Sequence, residues 1–182
     1  MGMAAPTYWT AELVRQLPDD GNRYEVVYGE LLVTPAPRPW HEIVVDRLHR
    51  ALEEYLRVEP VGFAFGGRSD ISWGDDTLVE PDVFVVPLEE ARALDWARMK
   101  KLLLAAEVLS PSSGRHDRFT KRRLYQAQKI PVYWVIEADE HFVEIWHPDD
   151  GLPAIERTRL EWHPAGAARA FTLELADLFR PI

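Results

Sequence analysis

Two carboxylates stand in apolar, strand-like segments and are the strongest candidates for chemistry in this sequence. Asp82 opens the apolar run 83–86, and Glu107 lies inside the run 102–109, which is otherwise Leu, Ala and Val. A buried carboxylate costs free energy unless it is paired or binds a metal ion. Two interpretations therefore stay open: a hydrolytic metal site, or two acids satisfied by Arg side chains and backbone donors.

A basic segment follows the second acid. Residues 115–123 hold five Lys or Arg residues against one acid, in a chain whose net charge is −9. One interpretation is an ordinary solvated helix face, with Asp117 and Lys121 as an i,i+4 ion pair. The other is contact with a phosphodiester by the basic side chains of the segment, namely Lys121, Arg115, Arg118 and Arg122.

Hydrophobic periodicity predicts the elements that position these side chains. Apolar residues recur at the helical period from Ile43 to Leu56, and a second helix is predicted over 115–128. Residues 23–27 and 30–34 predict a hairpin around Gly29. The remaining predicted elements are a short helix at 10–17 and strands at 70–73, 83–86, 102–109, 132–137, 142–147 and 170–175. This order predicts an α/β (α+β) fold with a mixed central sheet flanked by helices, in a single domain spanning 1–182.

Composition limits the chemistry open to the chain. Hydrophobic residues make up 47% and charged residues 28%, which is typical of a soluble globular domain. The absence of cysteine excludes disulfides, thiolate zinc sites, iron–sulfur clusters and cysteine nucleophiles. The acidic net charge argues against a nonspecific nucleic-acid coat, since phosphate neutralisation needs clustered Lys and Arg. Neither a signal peptide in residues 1–6 nor a membrane span is predicted, so we expect a cytoplasmic protein without membrane contact.

Several short motifs occur in a fixed order between about residues 10 and 150. They are Tyr24-Glu25-Val26-Val27-Tyr28-Gly29-Glu30-Leu31, Thr34-Pro35-Ala36-Pro37 with His41, Val79-Glu80-Pro81-Asp82-Val83, Ala106-Glu107-Val108-Leu109-Ser110-Pro111-Ser112-Ser113, Asp117 with Lys121 and Tyr125, and Tyr133-Trp134-Val135. Together they resemble the Uma2-type (DUF820) restriction-endonuclease-like family of the PD-(D/E)XK nuclease superfamily. The Glu-Val-Leu-Ser-Pro-Ser-Ser block is the most specific part of the resemblance.

The resemblance implies a restriction-endonuclease-like core with an N-terminal hairpin, in which two acids bind Mg²⁺ (or Mn²⁺) and a lysine assists the attacking water. Carried over to this chain, Asp82 and Glu107 are the catalytic metal ligands. The superfamily pattern places its lysine at position 109, where this chain has Leu109. Lys121 is the natural replacement, and Asp117 and Tyr125 lie four residues away on the same predicted helix face.

A further site residue is expected from an earlier element. Glu25 and Glu30 on the first hairpin are candidates for an additional acid. Tyr24 and Val26 both read as inward-facing, which leaves open that Glu25 faces solvent. His41, near the start of the long helix, is a candidate for contacting phosphate or supporting a metal ligand, with an ordinary surface position as the alternative.

The leading prediction is a Mg²⁺-dependent endonuclease that hydrolyses DNA phosphodiester bonds, with Lys121 polarising water or phosphate. The alternative is a non-catalytic nucleic-acid-binding or regulatory module on the same fold, which the acidic net charge and Leu109 favour. A two-carboxylate glycosidase is a third, weaker interpretation. We also expect a homodimer, since nucleases of this fold often act as dimers.

Overall fold

A computed structural model describes residues 8–67 and 69–182, in which helices pack on β-sheets. The strands are β1 (Arg23–Val27), β2 (Glu30–Thr34), β3 (Gly62–Gly66), β4 (Ile71–Gly74), β5 (Thr77–Val79), β6 (Val83–Pro87), β7 (Leu104–Val108), β8 (Tyr133–Glu137), β9 (Phe142–Trp146), β10 (Ala154–Glu156), β11 (Arg159–Trp162) and β12 (Phe171–Glu174). The helices are α1 (Ala11–Arg15), α2 (Pro39–Val58), α3 (Leu88–Arg92), α4 (Arg122–Ala127) and α5 (Leu175–Leu178), with a 3₁₀ turn at Trp96–Arg98 and a π-helical turn at His116–Lys121. The expectation about residues 1–6 lies outside the described residues.

The described residues form one large mixed sheet and two smaller sheets. The large sheet has the order β10-β9-β8-β7-β6-β3, and its β7–β8 pair is parallel while the other pairs are antiparallel. A second sheet has the order β2-β1-β5-β4, and β11 pairs with β12. The predicted fold class is therefore confirmed. Within the described ranges, no helix has both the length and the apolar character needed to cross a membrane.

Alternation along the central strands assigns their side chains to two faces of the large sheet. On β6, Val83 and Val85 pack with α2, whose apolar stripe buries Val44, Leu48 and other residues against that face. The second face carries the alternate side chains of the same strands, such as Phe84 on β6 and Ala105 on β7. Because successive side chains of a strand point to opposite faces, Asp82 and Glu107 share this second face.

The second face is covered by the first hairpin and by α4. Val27 of β1 and Leu32 of β2 belong to the same buried cluster as Leu124 and Tyr125 of α4. This cluster joins the smaller sheet to the large one along the side where the two acids lie. The fold therefore encloses the acids between the hairpin and the helix.

Several predicted elements differ from the observed ones. The helix predicted over 115–128 is present, but its residues His116–Lys121 wind as a π-helical turn before α4 begins. The strand predicted at 102–109 is shorter, since it comprises β7 alone. Strands β5, β10 and β11 and helix α3 were not predicted, because segments of three to five residues are too short to show a period.

Candidate active site

The register of two central strands brings the acids together. Strands β6 and β7 are antiparallel with Val83 opposite Ala106, so continuing this register by one residue places Asp82 opposite Glu107. The backbone N–H of Val108 donates to Asp82 Oδ2 at 2.8 Å. Both residues are buried: Asp82 is 3% exposed to solvent and Glu107 is 1% exposed. Two acids that are 25 positions apart in the sequence therefore become neighbours through one strand pairing.

The first hairpin adds Arg23 and Glu25 to the acids. Arg23 Nη1 lies 2.7 Å from Asp82 Oδ1 and 4.0 Å from Glu107 Oε2. Glu25 is buried, and its Oε1 accepts from the backbone N–H of Glu80 at 2.7 Å. The interpretation that Glu25 faces solvent is wrong. Both faces of β1 are covered, because Val26 belongs to the cluster around α1 and Val27 to the cluster around α4. Alternation of side chains along β1 therefore leaves neither face exposed to solvent.

The π-helical turn supplies the buried lysine. Lys121 Nζ lies 2.7 Å from Glu25 Oε2, 3.0 Å from Glu107 Oε1 and 3.4 Å from Asp117 Oδ1. Tyr125, on the following turn, donates its hydroxyl to Glu107 Oε1 at 3.0 Å. π-helical turns occur often at functional sites. Here the turn and α4 direct Lys121 and Tyr125 to the same oxygen of Glu107, and Asp117 contacts Lys121.

His41 also reaches the acids, from the first turn of α2. Its Nε2 lies 3.1 Å from Asp82 Oδ2, and the residue is buried. Burial opposes the charged imidazolium, but the hydrogen bond and the charge of Asp82 outweigh it and raise the pKa of His41. The structure therefore excludes the surface position for His41 and places it against a candidate metal ligand.

The cluster carries excess negative charge. In the described part of the chain, four buried carboxyl groups (Glu25, Asp82, Glu107 and Asp117) contact Arg23 or Lys121 within 3.4 Å, so four acidic groups face two basic ones before His41 is counted. Burial raises the pKa of Glu107 well above 4.5, and the neighbouring acids add to this effect while Lys121 opposes it. Burial also raises the pKa of Asp82, but the His41 hydrogen bond and the Arg23 charge outweigh it and lower that pKa overall. An additional cation would relieve this imbalance.

A cleft of about 300 Å³ opens onto the cluster. Asp82, Glu107 and Lys121 line it together with Arg23 and Asp117. Other lining residues come from the loop after β2, the first turn of α2 and the loop after β7: Thr34, Pro35, Pro37, His41, Glu42, Ser110 and Ser113. The cleft gives a solvent-borne substrate access to the acids and the lysine.

The other predicted site residues lie elsewhere. Glu30 is exposed at the start of β2. Arg118 is held by Glu144 at 2.6 Å and Glu137 at 3.2 Å, and the Arg122 guanidinium lies 4.7 Å from the Trp146 ring centroid. These three residues do not line the cleft, and neither does the exposed Arg115.

Arg23 was missed at the sequence level. The sequence of β1 did not predict the contacts of Arg23 with both acids, because charged and apolar residues are neighbours along this strand. The available signal was its position two residues before Glu25, because alternation along β1 puts the two side chains on one face. A buried Glu on a strand therefore identifies the residue two positions away as a candidate partner.

The donor set fits a magnesium ion bound by two carboxylates. Within residues 8–67 and 69–182, no group of three or more His, Asp or Glu side chains is arranged to hold a metal ion. Mg²⁺ does not need such a cage, because it usually keeps several waters and takes only one or two carboxylates. A cationic nitrogen of Arg23 already lies within 4.0 Å of both Asp82 and Glu107, so the two acids can share one positive charge.

Two buried acids meet at adjacent strands of the mixed sheet, and a buried lysine from the following helical segment contacts one of them, which is the arrangement that the sequence motifs implied for a restriction-endonuclease-like core. The chain belongs to the Uma2 family, described as "putative restriction endonuclease", whose sequence profile matches residues 11–176. The fold is similar to the crystal structure of a "putative nuclease belonging to DUF820" from Anabaena variabilis ATCC 29413, with a TM-score of 0.75 and 20% sequence identity over 94% of this chain and 97% of that one. No curated protein sequence matches the chain.

Proposed function

We propose that the protein is a Mg²⁺-dependent endonuclease that hydrolyses phosphodiester bonds of DNA. The observation that carries the proposal is the meeting of Asp82, Glu107 and Lys121 in one cleft, with Lys121 Nζ 3.0 Å from Glu107 Oε1. The description of the Uma2 family supports a nucleic-acid substrate. The excess of buried carboxylates supports a divalent cation as the cofactor.

Each residue of the cluster has a role in this proposal. Asp82 and Glu107 would hold Mg²⁺ or Mn²⁺, which when bound lowers the pKa of a water and offsets charge on the phosphate. His41 and the Val108 N–H fix the orientation of Asp82, and the Tyr125 hydroxyl fixes that of Glu107. Lys121 holds its ammonium toward the cleft, where it orients the attacking water or stabilises the negative charge on the phosphate.

The alternative is a non-catalytic nucleic-acid-binding or regulatory module on the same fold. One observation favours it: Arg23 and Lys121 already form ion pairs with Asp82 and Glu107. Acids that are neutralised within the protein can stabilise the fold without binding a metal. A module of this kind would bind nucleic acid without cleaving it.

Cleavage of plasmid and single-stranded DNA with Mg²⁺ or Mn²⁺ tests the proposal. We expect Asp82→Asn, Glu107→Gln and Lys121→Met each to lower the cleavage rate by about a hundredfold or more, and EDTA to abolish cleavage. The matched control is Lys129→Met, because the Lys129 side chain is 69% exposed and its ion pair with Asp149 lies at the surface. Circular dichroism establishes that each variant is folded.

Two outcomes would contradict the endonuclease. Cleavage that is equal in wild type and all three variants would come from a contaminating nuclease. Folded wild-type protein that binds DNA but does not cleave it with either metal would support the module instead.

A further inference from the structure

The guanidinium of Arg23 lies between the two candidate metal ligands. Its Nη1 donates to Asp82 Oδ1 at 2.7 Å and lies 4.0 Å from Glu107 Oε2. The side chain is 17% exposed, so little water screens these charges. Arg23 therefore neutralises, from within the chain, the pair of acids that the proposed function assigns to a metal ion.

The hydrogen bonds of Asp82 leave one oxygen for a competing cation. Asp82 Oδ2 already takes the Val108 N–H at 2.8 Å and His41 Nε2 at 3.1 Å. Asp82 Oδ1 accepts from Arg23 Nη1 at 2.7 Å. A cation shared by Asp82 and Glu107 therefore needs the oxygen that Arg23 holds.

Arg23 is also anchored beside the acids. Its Nη1 donates to the Glu80 carbonyl oxygen at 3.1 Å, and its Nε lies 4.0 Å from Glu80 Oε2. An arginine keeps its charge across the whole physiological pH range. The Glu80 carboxylate therefore lies beside the guanidinium at the edge of the cluster.

We propose that Arg23 is a resident cation that competes with a divalent metal ion for Asp82 and Glu107. While its guanidinium contacts Asp82 Oδ1, the acid pair is neutralised and closed to a metal. When the guanidinium turns toward Glu80, Asp82 Oδ1 becomes available. This inference rests on the proposed metal site, and it makes Arg23 a determinant of metal affinity rather than a metal ligand.

Mn²⁺ binding to the full chain without DNA tests the inference, with free Mn²⁺ followed by electron paramagnetic resonance. We expect Arg23→Gln to bind Mn²⁺ about tenfold more tightly than wild type, or better. Arg15→Gln is the matched control, because Arg15 pairs with Asp70 at 3.2 Å on the surface and its removal changes the net charge equally. Adding Asp82→Asn to Arg23→Gln should remove the gain, which locates the bound ion.

Arg23→Lys keeps the test decisive if Arg23→Gln does not fold. The lysine preserves a charge near Asp82, but it lacks the planar guanidinium that contacts Asp82 through Nη1 while Nε lies beside Glu80. We therefore expect this variant also to bind Mn²⁺ more tightly than wild type. Equal or weaker binding in the folded Arg23 variants, or an equal gain in Arg15→Gln, would overturn the inference. If wild type cleaves DNA while the Arg23 variants bind Mn²⁺ with unchanged affinity, the endonuclease proposal is supported and the resident-cation inference is wrong. If neither wild type nor any variant binds Mn²⁺ or cleaves DNA, both the endonuclease proposal and the resident-cation inference are wrong.

Discussion

At the residue scale, the protein concentrates charge where water is excluded. Lys121 serves three acids at once, and Glu107 accepts from both Lys121 and Tyr125 through one oxygen. Removing one partner of a buried ion pair costs about 3–5 kcal/mol, because the other charge stays behind without compensation. Asp117 depends on the same lysine, since it is buried and its partner Lys121 Nζ, at 3.4 Å, is shared with two other acids. Such a cluster is expensive for stability alone, which supports a functional reason for keeping it.

The raised pKa of Glu107 predicts how stability depends on pH. The folded protein binds a proton at Glu107 more tightly than the unfolded chain, whose glutamate titrates near 4.5. In EDTA, this acid therefore contributes stability below that value, and the contribution is lost as pH rises through the raised folded-state pKa. We expect Glu107→Gln, which cannot ionise, to gain stability relative to wild type as pH increases, by about 1.4 kcal/mol for each unit of pKa shift.

Urea unfolding of both proteins between about pH 5 and pH 9 measures this difference. The comparison cancels much of the titration of His41 and Asp117, which are present in both. Unfolding free energies that run parallel over the whole range would show that Glu107 keeps an ordinary pKa in the folded state.

At the element scale, short pieces of backbone geometry decide where the site residues point. The β6–β7 register makes Asp82 and Glu107 neighbours, and the π-helical turn directs Lys121 into the cluster. The hairpin turn of β1 and β2 has positive φ at both Tyr28 and Gly29, with values of 51° and 81°. Two positive φ values match the twist of the flanking strands, so the hairpin closes tightly and carries Arg23 over the sheet.

Packing of the edge strand β3 on β6 gives a prediction at this scale. A Cβ atom added at Gly62 would lie 2.6 Å from the Val86 carbonyl oxygen and 2.8 Å from Val85 Cγ1. Because the backbone cannot easily move away, we expect Gly62→Ala to lower the free energy of unfolding by about 1–3 kcal/mol.

Gly151→Ala is the matched control, since an added Cβ there meets nothing within 4 Å and Gly151 is exposed. Thermal or urea unfolding of the two variants compares them. A Gly62→Ala protein as stable as Gly151→Ala would show that β3 can shift on the sheet.

At the scale of the whole molecule, the site lies where the two larger sheets meet. The six-stranded sheet supplies the acids, the four-stranded sheet supplies Arg23 and Glu25, and the helical segment after β7 supplies Lys121. The cleft exists only while these parts stay packed together. Binding of a metal ion to the cleft should therefore stabilise the complete fold. Homodimerisation stays a prediction.

Metal binding should raise the melting temperature of the whole protein. Mg²⁺ at a hundred times its Kd would add about 2.7 kcal/mol, which corresponds to a rise of about 5–10 °C for a chain of this length. We expect the rise in wild type and in Asp149→Asn, whose side chain is 92% exposed, but not in Asp82→Asn. Differential scanning calorimetry with and without Mg²⁺ measures it, and an equal rise in Asp82→Asn would place the ion elsewhere.

The sequence alone determined the class of fold and the two acids. Short, continuous apolar runs identified the central strands beside Asp82 and around Glu107, because such strands are buried on both faces. The 3.6-residue period identified α2, because one side of that helix is buried. The ordered motifs identified the family. Because position 109 holds Leu109 instead of the lysine of the superfamily pattern, Lys121 was chosen from its place on a predicted helix. The structure puts its Nζ 3.0 Å from Glu107 Oε1.

Only the tertiary structure decided which charged groups meet. Glu25 and Arg23 face the acids because β1 is covered on both sides, and His41 reaches Asp82 because α2 begins beside the end of β6. Arg118 and Arg122 turn instead to Glu144 and Trp146. Contacts between residues 14 to 96 positions apart depend on how elements pack against one another, and periodicity within one element carries no information about that packing.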